Sequence, residues 1–200
     1  MTEKSNTIRK FLLAALVLCL TLTAGVFPLQ AIAAETTDNT KATVTFTAGE
    51  LKLESVPVLD FGTNAISHME EVYKAVTAAP DVQISDLRGS GNGWDLYVSL
   101  SPFTLDGSST ETLNAASIRF TSPTVNGENG NAGTPPTATP DIKLTSDNTQ
   151  TPVLKAGNGE GMGVWSLHWD TENTTLTVKP GTAEQGKSVA TLTWSLQSTP

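Results

Sequence analysis

Apolar and polar residues alternate over several short stretches of this chain. In 43–47, Val44 and Phe46 fall on one face and three threonines on the other. The same alternation recurs in four later stretches, at 94–100, 161–170, 174–178 and 189–196. Successive side chains of a β-strand point to opposite sides of a sheet, so a period of two predicts strands that bury one face.

Turn residues separate these stretches. Gly-Ser-Gly-Asn-Gly at 89–93 and Gly-Asn-Gly-Glu-Gly at 157–161 suit turns that need positive φ. We expect 89–93 to be a hairpin turn, because Trp94 begins a strand directly after it and no lysine follows to make a phosphate-binding loop. Short strands between such turns predict an all-β fold, an antiparallel β-sandwich-like single domain with long loops.

Two segments depart from the strand pattern. Met69, Val72, Tyr73 and Val76 lie at helical spacing, so a short helix before Pro80 is an alternative to strand there. Residues 126–140 contain no large apolar side chain and predict a long exposed loop. We place this loop within the domain, because fewer than 70 residues follow it, too few for a stable second domain without disulfides.

The first 33 residues have the pattern of a secretory signal peptide. Three basic residues precede an apolar run over 11–20, and small residues lead up to Ala33. This pattern predicts cleavage between Ala33 and Ala34, which leaves one domain over 34–200. A permanent membrane-spanning segment is the alternative, since the apolar stretch approaches the length that crosses a bilayer.

The single cysteine, Cys19, lies within that apolar run. Bulky Leu18 precedes it, where bacterial lipid attachment requires a small residue. The predicted mature chain, 34–200, therefore has no cysteine, which fits a bacterial exterior better than a eukaryotic one. The final residues, 194–200, contain no sorting motif or apolar tail, so we expect the protein to be held at the cell surface by binding.

Composition agrees with the strand pattern and restricts the partners. Of 31 threonines, 27 follow Ala33, and threonine favours the exposed faces of strands. The chain has a net charge of −8; without its first 33 residues, 9 basic and 19 acidic residues leave a net charge of −10. So large an acid excess argues against a nucleic acid or an anionic membrane as the main partner.

The sequence offers little to an enzyme. His68 and His168 lie far apart and no cysteine accompanies them, so we predict no metal site and no cofactor. A His168–Asp170 unit with a distant serine is conceivable, but no nucleophile-elbow pattern supplies that serine. Asp86 and Asp95 could flank a sugar, yet nothing distinguishes an acid from a base. We predict a protein without enzymatic activity and without catalytic residues.

Two Trp-Ser-Leu motifs lie in the last 36 residues. Trp165, Leu167 and Trp169 share one face of a predicted strand, and Trp194 and Leu196 share a face of another. We expect the two strands to be neighbours that build a single aromatic wall. Such a wall is either core, where each tryptophan buries ~150–250 Å², or a platform for sugar rings.

These motifs, in this order, resemble the WxL domain of surface proteins from low-GC Gram-positive bacteria. The resemblance covers nearly the whole mature chain. The segments that carry it are Val-Thr-Phe-Thr-Ala-Gly at 44–49, Leu-Lys-Leu at 51–53, Val-Leu-Asp-Phe-Gly at 58–62, the stretch 82–94, Trp-Ser-Leu at 165–167 and the stretch 190–196. One position departs from the family, which often has tyrosine where this chain has Ser188.

The resemblance implies an exported protein that attaches non-covalently to the cell wall, with peptidoglycan as the ligand. Its implied partners are other WxL proteins and a membrane-anchored surface protein. The residues on which attachment then depends are Trp165, Ser166, Leu167, Trp194, Ser195 and Leu196. The alternative is an adhesin subunit that binds host matrix proteins or a partner surface protein, with the tryptophans serving as core.

Overall fold

The computed structural model describes residues 37–200, and β-strands dominate them. Residues 45–200 form one compact unit, whereas 37–44, outside this unit, are exposed and contain no strand. One short 3-10 helix spans Thr171–Asn173. In chain order the strands are β1 (Leu51–Ser55), β2 (Val58–Asp60), β3 (Glu71–Lys74), β4 (Thr77–Ala79), β5 (Val82–Asp86), β6 (Trp94–Leu100), β7 (Phe103–Leu105), β8 (Glu111–Thr112), β9 (Ser117–Thr121), β10 (Thr124–Gly127), β11 (Thr137–Ala138), β12 (Asp141–Thr145), β13 (Thr151–Ala156), β14 (Gly163–His168), β15 (Thr174–Val178), β16 (Ser188–Val189) and β17 (Leu192–Ser198).

Three four-stranded antiparallel sheets make up most of the unit. Sheet I has the strand order β1-β5-β14-β10, sheet II the order β11-β13-β6-β17 and sheet III the order β12-β9-β15-β3. Two smaller sheets, β16-β7-β8 and β2-β4, complete the set. The predicted all-β, sandwich-like fold is confirmed.

One hydrophobic core is shared by the three large sheets. Alternate residues of β6, namely Trp94, Leu96, Val98 and Leu100, are each at most 1% exposed. Burying an apolar side chain of this size contributes about 1.5–3 kcal/mol, so the inner face of β6 contributes strongly to the stability of the core. Its neighbours in the core include Val82, Ile84 and Leu167 from sheet I and Ile118, Phe120 and Leu176 from sheet III.

The strand predicted at 43–47 is absent from the structure. Val44 and Phe46 remain 74% and 86% exposed. Backbone hydrogen bonds extend the pairing of β1 with β5 toward the N-terminus only as far as Gly49, whose N–H donates to the Leu87 carbonyl at 2.8 Å. Alternation predicts a strand only where a partner strand completes the hydrogen bonds, and 43–47 has none within the described chain.

The helix considered before Pro80 is also wrong. This segment forms β3 and β4 instead. In β3, Tyr73 pairs with Leu176 and packs against the core, while Val72 points to the outer face. Pairing with β15 decides the conformation, because tertiary contacts override a weak helical spacing.

The two glycine-rich turns connect different sheets. The turn at 89–93 runs from β5 in sheet I to β6 in sheet II, and 157–161 runs from β13 in sheet II to β14 in sheet I. The hairpin predicted at 89–93 is therefore wrong, since its flanking strands do not pair. The turns lie against each other, with the Gly159 N–H donating to the Gly91 carbonyl at 2.8 Å.

Gly161 should tolerate no side chain, and its replacement by alanine should lower stability strongly. A Cβ there would lie 2.6 Å from the Ala156 Cβ and 2.7 Å from the Trp94 Nε1, on backbone with φ +69°. Gly159→Ala is the matched control, because its φ is +80° and its Cβ would meet nothing within 4 Å. We expect Gly161→Ala to unfold at lower urea, by about 1–3 kcal/mol beyond the control. Equal effects of the two variants would show that backbone strain alone matters.

The glycine- and proline-rich stretch 126–140 belongs to the compact unit and is mostly exposed. Its first residues continue β10, and it contains β11, which pairs with β13. The Asn131 side chain donates to the carbonyls of Met162 and Val164, at 3.0 and 3.2 Å. Asn131 thus adds side-chain bonds to the backbone pairing that ties this stretch to β14, the strand of the first Trp-Ser-Leu motif.

The predicted signal peptide, 1–33, and its cleavage site lie outside the described residues. Over the described range, 37–200, no helix is long and apolar enough to cross a membrane.

Candidate functional site

The two Trp-Ser-Leu motifs lie in different sheets. Trp165, Ser166 and Leu167 are part of β14, between β5 and β10 in sheet I. The distal motif is part of β17, which pairs only with β6 at the edge of sheet II. The expectation that the motif strands are neighbours is therefore wrong. Similar strands need not pair, because register and sheet membership follow from all partners of each strand.

The proximal motif buries all three of its side chains, two on one face of sheet I and one on the other. Trp165 is 4% exposed, and its Nε1 donates to the Met162 carbonyl at 3.0 Å. Leu167 is fully buried in the core. Ser166 lies on the opposite face of sheet I, where its hydroxyl donates to Glu128 Oε1 at 2.6 Å. Trp165 and Leu167 therefore position the strand, and Ser166, only 5% exposed, is covered on the opposite face.

The distal motif repeats this arrangement at the edge of sheet II. Trp194 and Leu196 lie opposite Val98 and Leu96 and pack against the core. Ser195 lies opposite Tyr97, on the outer face. The alternation of β17 thus gives both motifs the same division of inner and outer side chains.

An aromatic cluster anchors β17. The ring centroids of Trp194 and Trp169 are 6.5 Å apart, and Trp169 lies 4.8 Å from Phe120, both pairs with tilted rings. The Nε1 atoms of both tryptophans are buried without a hydrogen-bond partner among the described residues. A buried unpaired donor costs about 1–3 kcal/mol, so packing holds this cluster together against that cost.

Arg88 clamps the end of β17 to sheet I. Its guanidinium donates to both carboxylate oxygens of Asp86, from Nε at 2.9 Å and from Nη2 at 2.8 Å. Nη1 donates to the Ser198 hydroxyl at 2.5 Å, and Nη2 donates to the Gly93 carbonyl at 3.2 Å. The hydrogen bonds to Asp86 raise the pKa of Arg88. Sequence reasoning missed this clamp, although an arginine two residues after an aspartate at a strand end is its signal.

The carboxylates considered for catalysis serve in ion pairs. Asp86 is paired with Arg88 in sheet I, and Asp95 lies in sheet II with its Oδ1 3.3 Å from the Lys155 Nζ. The two aspartates thus belong to separate pairs in separate sheets. This placement gives no acid–base pair across a shared cleft.

His168 lies between two carboxylates. Its Nδ1 is 2.7 Å from Asp81 Oδ1, and its Nε2 is 3.3 Å from Asp170 Oδ1. Both ring nitrogens are therefore occupied by carboxylates, which leaves neither for a serine hydroxyl. The hydrogen bond with Asp81 and the weaker one with Asp170 raise the pKa of His168 above its ordinary 6.5.

This environment predicts a pH-dependent contribution of His168 to stability. Because its pKa is raised in the folded state, the contribution is complete below about pH 6.5 and falls as pH rises through the folded pKa. Thermal melts of the wild type and His168→Gln should differ most at about pH 5.5 and converge above neutral pH. The difference should be small, because 40% of the side chain is exposed. A gap that widens with rising pH would contradict this assignment.

Among residues 37–200, no group of three or more histidine, cysteine, aspartate or glutamate side chains could hold a metal ion.

The comparisons with known proteins agree with the motifs. A family model described as "WxL domain surface cell wall-binding" matches residues 25–200. The chain belongs to the WxL domain family. No curated protein and no solved structure gave a match.

Membership identifies a cell wall-binding surface protein, in a family that is not known for enzymatic activity. In this WxL domain, Ser188 begins β16 and pairs with Leu105 of β7. The position where the family often has tyrosine is thus at a sheet separate from both Trp-Ser-Leu strands.

Proposed function

We propose that this WxL domain attaches non-covalently to peptidoglycan and that attachment depends on its two Trp-Ser-Leu motifs. The residues are Trp165, Ser166, Leu167, Trp194, Ser195 and Leu196. The observation that supports the proposal is the shared alternation of the motifs: tryptophan and leucine lie on the inner face of each strand and serine on the opposite face, where Ser166 is buried against Glu128 and Ser195 is half-buried. We also infer that residues 1–33 direct export and are removed after Ala33, leaving 34–200. The N-terminal sequence of the protein recovered from the cell surface tests that point.

The charge of the chain restricts how it can bind. The net charge of −8 disfavours simple attraction to an anionic wall. Attachment should therefore use aromatic stacking, neutral hydrogen bonds or a protein partner. Salt screens charge attraction but leaves such contacts in place.

The direct experiment is co-sedimentation of the purified protein with isolated peptidoglycan sacculi. We expect the protein to sediment with the sacculi and to stay bound when they are washed at about 1 M salt, where the screening length is about 3 Å. A basic protein of similar size serves as the control that salt should release. If the folded protein stays in the supernatant, peptidoglycan binding is excluded; if salt releases it, the contact is ionic.

A second candidate function is binding to another surface protein. Five large apolar residues are unusually exposed, by 59% to 69%, within 58–76: Val58, Ile66, Met69, Val72 and Val76. One of them, Val72, lies on β3, an edge strand of sheet III. Apolar side chains beside an unpaired edge favour association with another protein chain. The partner would be another WxL protein, a membrane-anchored surface protein or a host matrix protein.

The exposed apolar segment can be tested apart from the wall. In producing cells, Val72→Lys should reduce the size of the complex released from the surface and leave binding to sacculi unchanged. Leu87→Lys, the same kind of change at an apolar residue that is 57% exposed outside 58–76, is the control and should preserve the complex. A complex of unchanged size in the Val72→Lys strain would exclude this edge as the contact.

A further inference from the structure

An open groove of about 400 Å³ lies on the outer face of sheet II. We call it the sheet II groove. Tyr97 lies in it with two proline rings, Pro140 and Pro152, and with the charged pair Asp95 and Lys155. Its size falls within the range of small-molecule sites, which combine apolar walls with a few polar groups.

Tyr97 has no role in the core. The half-buried aromatic residues Phe61, Tyr73 and Trp194 all pack against the core, and Tyr97 is not among the residues that do. The alternation of β6 directs Leu96 and Val98 inward and Tyr97 outward. A tyrosine ring on an outer sheet face, in a groove shared with two prolines, offers a flat apolar surface with a polar hydroxyl at its end.

The distal motif lies on the strand next to this groove, although no residue of β17 lines it. Ser195 of β17 lies directly opposite Tyr97, and Pro152 of β13 lies opposite it on the other side. In the next row, Gln197 and Lys155 flank Asp95 in the same way. Antiparallel partners directly opposite each other share a face, so β17 adds a hydroxyl and an amide beside the ring.

The charges in the groove balance locally. Asp95 and Lys155 form an ion pair at 3.3 Å, although the chain as a whole carries −8. A locally neutral, apolar groove bordered by hydroxyl, amide and carboxylate groups suits an uncharged ligand with many hydroxyl and amide groups. A second groove, of about 370 Å³, lies beside β7. It is lined mainly by small side chains such as Ser101 and Thr104, together with Glu111, and so offers no ring like that of Tyr97.

We infer that the sheet II groove binds the glycan strand of the wall, an N-acetylated amino-sugar polymer, with a sugar ring stacked on Tyr97. The Lys155 ammonium and the Ser195 hydroxyl can donate to sugar or acetamido oxygens, and the Asp95 carboxylate can accept from sugar hydroxyls. The inference rests on the proposed wall binding and specifies its ligand as the glycan instead of the peptide stems.

The test uses a soluble hexamer of N-acetylglucosamine as the probe. In a titration followed by amide NMR, we expect the largest shifts at Asp95, Tyr97 and Lys155. Tyr97→Ala should weaken binding at least about tenfold, and Tyr97→Phe, which keeps the ring, should retain it. Ser99→Ala, on the same strand and face but outside the groove, is the matched control.

The outcomes separate this inference from the proposed function. If a folded Tyr97→Ala variant binds the hexamer like the wild type, or if the shifts lie outside the groove, the inference is overturned. Should Tyr97→Ala fail to fold, the shift map of the wild type decides alone. If the protein binds sacculi but not the hexamer, glycan binding in the groove is overturned and the proposed wall attachment stands. Binding of the hexamer in the groove without binding to sacculi shows an amino-sugar site that does not serve wall attachment, which overturns both the proposed function and the wall glycan as the ligand.

Discussion

Replacing Arg88 with alanine should destabilise the domain by about 3–5 kcal/mol, because it leaves a buried carboxylate without its partner. The Asp86 side chain is 2% exposed and that of Arg88 17%. The substitution also removes the bond to Ser198 at the end of β17. Urea unfolding followed by tryptophan fluorescence measures the change, and the transition should move to much lower urea.

The matched control is Arg119→Ala. Arg119 also makes a bidentate contact with an aspartate, Asp141, but both side chains are about half exposed. Exposed ion pairs contribute little, so this variant should unfold almost like the wild type. Arg88→Lys should fall between the wild type and Arg88→Ala, since lysine keeps the charge but loses the planar fork. If Arg88→Ala and Arg119→Ala shift the urea transition equally, burial of the Arg88–Asp86 pair does not determine how much it contributes to stability.

The second large effect is expected at Trp165. Its replacement by alanine should destabilise the domain by about 3–5 kcal/mol, the range for a large aromatic residue removed from a packed interior. The indole is 4% exposed and is covered by the segment around Gly127 and Gly133. Trp194→Ala should cost less, because this tryptophan is only half-buried at the edge of sheet II. Thermal melts of the two variants provide the comparison.

A comparison of Trp165→Ala with Ser195→Ala distinguishes structural from direct roles in wall attachment. Attachment depends on Trp165 through the fold, so at a temperature where Trp165→Ala is still folded this variant should retain sacculus binding, because the ring is buried and cannot touch the wall. Ser195→Ala, on the outer face beside Tyr97, should lower binding with little change in melting temperature. Loss of binding by a fully folded Trp165→Ala variant, with normal binding by Ser195→Ala, would reverse this assignment of roles.

The strand pattern was most reliable where one face of a strand is buried. The alternation at 94–100 coincides with β6, and that at 174–178 coincides with β15. Both strands are paired on each side, so the buried face repeats every second residue. At 43–47 the same alternation predicted a strand that does not form. The period of two reports a tendency of the residues, whereas the strand requires a neighbour to complete its hydrogen bonds.

The candidate site followed from sequence only in part. The Trp-Ser-Leu motifs and the alternation within them indicated which residues share a face. Nothing in their spacing showed that β14 and β17 join different sheets. The Arg88 clamp was missed for a similar reason: Ser198 lies 110 positions from Arg88, and only the packed chain brings them together.

By itself, the sequence determined the β-class, the placement of each motif's tryptophan and leucine on one strand face and its serine on the other, and the family. Each of these depends on local periodicity or on ordered motifs, which neighbouring residues encode. Only the tertiary structure decided that the glycine-rich turns cross between sheets, that Asp86 belongs to a buried ion pair, and that Ser195 lies beside Tyr97. Those features depend on which distant strands pair, and pairing is selected by burial of the whole core, a property that no short segment contains.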